Sequence, residues 1–73
     1  MLEIHAQWDD EAHVWYATSE DVPGLCAQSN TFDELVEVAR GLTPELLEAN
    51  HVEIAGAIQI RITAERTLTA KAA

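Results

Sequence analysis

Residues 19–35 read "SEDVPGLCAQSNTFDEL", and how this stretch folds decides everything around it. Pro23 sets its own φ near about −65°, and Gly24 can take positive φ. Pro at the second position and Gly at the third make Val22-Pro23-Gly24-Leu25 suited to a type II turn. Leu25 to Gln28 then reads as a short third strand. Thr31 opens a helix. Its hydroxyl can accept a backbone N–H of the first turn, and Glu34, three residues on, completes a capping box. Asp33 and Glu34 also suit the positive end of the helix dipole.

Working back from the turn, His13 to Ser19 is rich in aromatic and β-branched residues, which predicts a strand. Val14 and Tyr16 point to one face of it, Trp15 and Ala17 to the other. Apolar groups on both faces suggest a central strand, or one face open to a partner. Before it, Leu2, Ile4, Ala6 and Trp8 alternate with Glu3, His5 and Gln7, the period of a half-buried strand. Asp9 to Ala12 is the polar turn that joins these two strands into a hairpin.

Working forward, Leu35, Ala39, Leu42, Leu46 and Ala49 form an apolar stripe with helical spacing. Gly41 and Pro44 interrupt it. Thr43 could cap a second helix that starts at Pro44. A continuous helix would instead lose the bond from residue 44 to the carbonyl of Arg40 and kink. The unbroken stripe favours two nearly collinear pieces, closed by Asn50 and His51. Ile58, Ile60 and Ile62 alternate with Gln59, Arg61 and Thr63, which predicts the last strand. The expected order is β-β-β-α-β, an α+β domain over residues 1–73 with an antiparallel sheet under one helical layer. Order is expected over about residues 2–68, and residues 69–73 are expected to fray.

Composition narrows the function classes. The chain has 73 residues, 48% apolar, one cysteine, and no apolar run near the ~20 residues a membrane span needs. A domain this small buries only about 60% of its unfolded surface, so a homodimer or a protein partner would add stability. Without paired cysteines or a signal-peptide pattern at Met1 to His5, a cytoplasmic location is expected. Four basic residues stand against thirteen acidic ones, a net charge of −9. Residues 1–39 hold nine acids and no Lys or Arg, whereas residues 51–73 carry a net +1. Nucleic-acid affinity comes chiefly from cationic neutralisation of phosphates, so no direct nucleic-acid binding is expected. An anionic surface steers a basic protein toward it; it also simply keeps a small protein soluble.

No catalytic constellation is evident. His5 and His13 could face each other across the hairpin, but zinc needs three or four ligands, and no CxxC or HxxxH spacing supplies the rest. Asp9, Asp10 and Glu11 lack the spacing of an EF-hand loop, and a solvated turn explains them. Cys26 has no Lys or Arg before residue 40 to lower its thiol pKa, and a buried strand cysteine is the expectation. Serine-triad and phosphate-cradling glycine signatures are absent from the sequence. No enzyme activity, metal or cofactor is expected. The stretch "AIQIRITAERTLTA", residues 57–70, is similar to the opening strand of a ribbon-helix-helix module. That module needs two helices after its strand, and too few residues follow Leu68, so a strand of the core sheet is expected.

The order and spacing of "DVPGLCAQSNTFDELVEVA", residues 21–39, resemble the HicB-like antitoxin family. Asp21, Pro23, Gly24, Leu25, Thr31, Glu34 and Leu35 match its turn, short strand and helix start. With "WDDEAHVWYATSEDVPGL" and "LTPELLEAN" included, about residues 2–65 resemble a branch of small stand-alone HicB-like proteins of unassigned function. The resemblance implies a fold described as truncated ribonuclease-H-like and no catalysis. It implies a non-catalytic module that neutralises a small basic HicA-like toxin, one that cleaves mRNA. Many members add a C-terminal DNA-binding segment. Here the chain ends after its last strand, so operon autoregulation is not expected. The candidate partner contacts are Trp15, Tyr16, Glu20 and Asp21, with Trp15 or Tyr16 expected to pack under the helix. Pro23, Gly24, Thr31, Glu34 and Pro44 are assigned to turn and cap. The alternative is an orphan small-ligand-binding or accessory domain with a pocket between sheet and helix.

Overall fold

The computed structural model describes residues 1–72. β1 (Leu2–Asp9) and β2 (Val14–Thr18) form an antiparallel hairpin, and β3 (Cys26–Ser29) pairs antiparallel with β2. One helix, α1 (Phe32–Ala49), follows, and β4 (Ile60–Glu65) ends the order. The four strands lie in the order β3-β2-β1-β4. No helix among the described residues is long and apolar enough to cross a membrane.

The sheet is mixed, which corrects the antiparallel expectation: β4 runs parallel to β1, with Leu2 opposite Ile60 and Gln7 opposite Glu65. Two hairpins leave β3 parallel to β1. The helix then carries the chain back to the end where β3 began, so the next strand can only repeat that direction. β4 lands outside β1, with two strands between it and β3.

The helix is continuous through Gly41 and Pro44, which corrects the reading as two pieces. Pro44 and Arg40 lie on the exposed side, so the carbonyl freed by proline faces away from the core. Thr43 does not cap a second helix. It is fully buried, and its hydroxyl donates to Ala39 O at 2.7 Å. Leu35, Ala39, Thr43 and Leu47 form the buried ridge, flanked by half-buried Leu42 and Leu46, while Ala49 is exposed. Thr31 is the N-cap and accepts from Glu34 N at 3.1 Å. At the other end Asn50 is the C-cap and His51 takes φ +58. His51 N donates to Glu48 O at 3.1 Å and Val52 N to Leu47 O at 2.9 Å, the paired bonds of a Schellman ending.

Strand edges shift by a residue or two. β2 starts at Val14, because His13 takes φ +56 in the hairpin turn. His5 therefore pairs with Thr18, and the two histidines do not meet across the hairpin. β3 begins at Cys26, since Leu25 closes the turn. β4 begins at Ile60, leaving Ile58 in the connection. Even-numbered residues of β1 and β4 face α1, as do Trp15, Ala17 and Ala27. Cys26 consequently faces out and is exposed, which corrects its expected burial.

The core joins Ile4, Ala6, Ala17, Ala27, Leu35 and Ala39. Three alanines facing the helix let it approach the sheet closely. At one end Trp8, Trp15 and Phe32 stack edge to face, with ring centroids 5.7 and 5.5 Å apart.

Candidate functional site

The Val-Pro-Gly-Leu turn works as a structural clamp. Gly24 takes φ +78, and Leu25 N donates to Val22 O at 3.2 Å. The two residues flanking Pro-Gly, Val22 and Leu25, are both buried in the core. Pro23 O accepts from Asn50 Nδ2 at 3.5 Å, and the same amide donates to Leu46 O at 2.8 Å. The turn is thus tied to the last turn of α1.

Upstream of it, side chains prolong the β1–β2 ladder after β2 has ended. Ser19 Oγ donates to Glu3 O at 2.5 Å, and Asp21 Oδ2 accepts from Glu3 N at 2.8 Å. Ser19 Oγ also accepts from Asp21 N and Val22 N, at 3.1 and 3.2 Å. Glu3 is beyond reach of β2, whose last pair is Thr18 with His5. Its backbone groups would be orphaned without these two side chains. Sequence reasoning missed Ser19. The signal was a hydroxyl residue opening a loop four residues before Pro23, where such side chains take up free backbone donors.

The four candidate contacts do not form one cluster. Trp15 faces α1 and is half-buried against Phe32. Tyr16 lies on the opposite, open face of the sheet, 36% exposed, and its hydroxyl donates to Gln7 Oε1. Glu20 is exposed at the loop. Asp21 is exposed too, but one carboxylate oxygen is engaged by Glu3. Asp21 sits at Glu3, whereas Tyr16 pairs with Gln7. Four residues of strand separate them, about 13 Å.

The open face is polar and internally bonded. His5 Nδ1 and Thr63 Oγ1 are 3.1 Å apart, and Arg61 pairs with Glu3. Thr18, Cys26 and Gln28 complete it on the other side. In the hairpin turn Asp9 Oδ1 accepts from Glu11 N and Ala12 N, at 3.0 and 3.1 Å. Asp10 accepts from Trp8 Nε1 at 3.1 Å. Two of the three adjacent carboxylates are therefore spent on the turn itself. Among the described residues no three His, Cys, Asp or Glu side chains converge as metal ligands.

Helix and β4 leave a groove between them. It is lined by Val36, Arg40, Ile58, Ile60 and Ile62 and holds about 270 Å³. α1 packs on β2 and β3, so the β4 side of the sheet has little helical cover. Four of its five lining side chains are aliphatic, and Arg40 is the one cation.

The family described as "Domain of unknown function (DUF1902)" matches residues 1–72. A solved structure, that of hypothetical protein TTHA1013 from Thermus thermophilus, is similar with a TM-score of 0.83 and 43% identity. The alignment covers 93% of this chain and 96% of that one. No curated protein matches.

Proposed function

The chain belongs to the DUF1902 family, and we propose that it is a non-catalytic module that binds a small basic protein. The observation that carries this reading is the placement of charge. None of the thirteen carboxylates is buried, and nine lie in residues 1–39 without a single Lys or Arg. Such a surface attracts a cationic protein and repels nucleic acid. The resemblance of residues 21–39 to HicB-like antitoxins supports a particular partner class, a basic HicA-like toxin that cleaves mRNA. Such a partner would be met in the cytoplasm. Tyr16 and Glu20 are the contact candidates whose side chains are free of the core.

The test is co-expression with an adjacent gene for a small basic protein. The expected result is that the neighbour alone arrests growth, that this chain restores it, and that the two co-purify in a salt-sensitive complex. Tyr16→Ala with Glu20→Lys should weaken the complex while the melting temperature stays near its original value. A harmless neighbour, or a toxic one that this chain neither binds nor neutralises, would contradict the proposal.

A further inference from the structure

We propose that β4 is a self-association edge, joining two copies of this chain antiparallel, β4 to β4, into one eight-stranded sheet. This inference is independent of the toxin reading and goes beyond it.

β4 pairs with β1 on one side only, and its outer side is an open row of backbone donors and acceptors. Leu2 N donates to Gln59 O at 2.9 Å, and Leu2 stands opposite Ile60. In a parallel ladder this register turns the N–H and C=O of odd residues toward β1. Those of Ile60, Ile62, Ala64 and Arg66 therefore point to the free edge. Unpartnered edges of this kind are usually shortened, kinked or covered. The opposite edge, β3, has only four residues and lies against α1. β4 has six, contains no Pro, and is largely uncovered.

Charge selects a second copy as the occupant. Three of the four cations of the chain, Arg61, Arg66 and Lys71, lie on β4 or just after it, with only Glu65 among them. Contact through residues 1–39 would set acid against acid; contact through β4 does not. The pairing is also self-complementary. With the two-fold axis at Thr63, Ile62 faces Ala64 of the second copy, and both are residues whose backbone groups point outward. Arg61 then faces Glu65 of the second copy, and Glu65 faces its Arg61. These are non-hydrogen-bonded pairs, in which side chains come closest. Moving the axis to Arg61 opposes like charges, and moving it to Ile62 or Ala64 leaves both charges without a partner in the second copy, with Arg61 held only by Glu3 of its own chain.

The same register accounts for an exposed apolar residue. Residues beyond β4 run past the sheet, and Leu68 is 72% exposed. The longest dimension of the chain is 54 Å against 20 and 18 Å for the others. Its radius of gyration is 14.2 Å, where a compact chain of this length has about 11 Å. In the pair centred on Thr63, Leu68 falls opposite Ile58 of the second copy. That position is the mouth of the groove lined by Val36, Ile58, Ile60 and Ile62, with Arg40 at its rim. Each copy thus covers the other's groove, an isologous contact that closes at two.

Sedimentation equilibrium on the whole chain tests this. The wild type should dimerise. Arg61→Glu and Glu65→Arg should each weaken the dimer by roughly 10-fold or more, because each replaces two attractive pairs with two repulsive ones. An equimolar mixture of the two variants should recover a dimer, now a heterodimer with both pairs complementary. Ala64→Pro removes an N–H from the free edge only and should give a folded monomer. A wild type that stays monomeric at the highest attainable concentration would overturn the proposal. So would a dimer that both charge reversals leave unchanged, which would place the contact on another surface.

Discussion

The β3 edge of the sheet and the β4 edge are held by different means. β3 has only four residues, Cys26–Ser29, yet α1 lies on it, and the turn before it buries Val22 and Leu25. Ser19, Asp21 and Asn50 bind that region through side-chain to backbone hydrogen bonds. β4 is longer, but its hold on the domain is the ladder to β1, the half-buried Ile60 and Ile62 at the margin of the core, the Arg61–Glu3 pair and the contact of Arg66 with the Trp8 ring at 4.2 Å. Exposed ion pairs add little. The difference teaches where this small domain spends its limited apolar surface: it secures the strand-to-helix corner and leaves the far edge available.

The largest test of that contrast is Leu35→Ala set beside Ile60→Ala. Leu35 is fully buried under the helix, and its truncation should cost roughly 2–5 kcal/mol, much of what so small a domain has. Ile60 is half-buried, and its truncation should cost about half as much, measured by urea unfolding at low chain concentration. Equal costs would break the contrast. Next comes Ser19→Ala, which orphans Glu3 O, Asp21 N and Val22 N and should cost roughly 1–3 kcal/mol. A neutral result would mean that the loop does not clamp β1. Gly24→Ala should cost about 1–2 kcal/mol from its positive φ alone, since the new methyl would meet Leu46 Cδ2 at an ordinary 3.7 Å. A loss well above that would reveal a steric conflict at the helix end. Thr31→Ala is the smallest of the set, about 1 kcal/mol of thermal stability for one lost cap bond.

Much of the β3 side was legible in the sequence, because its signals are local. Pro23-Gly24 fixes a turn by backbone sterics, and Thr31 caps the residues that directly follow it. The alternation of Trp15 and Ala17 against Tyr16 put the two aromatics on opposite faces but did not say which face meets the helix. What escaped was non-local. The direction of β4 depends on where an 18-residue helix delivers the chain, and an isoleucine alternation reads alike in either direction. The continuity of α1 through Pro44 depends on the buried ridge of Ala39, Thr43 and Leu47, a tertiary contact that outweighs one lost helical bond. Cys26 was misplaced because alternation puts it on the open face with Gln28, opposite buried Ala27. The role of Ser19 rests on the backbone of Glu3, sixteen residues away.

Residue-resolved hydrogen exchange, followed from low to high chain concentration, tests the two-edge account most directly. Amides of β2, those of Ala27 and Ser29 in β3, which point to β2, and those of the buried turns of α1 should exchange only with global unfolding, at every concentration. Along β4 the odd residues, Arg61, Thr63 and Glu65, should be protected throughout by β1. Ile60, Ile62 and Ala64 should exchange fast when dilute and slow as concentration rises. Uniform protection along β4 at all concentrations, or amides of Ala27 and Ser29 that exchange as readily as those of Ile62 and Ala64, would contradict it.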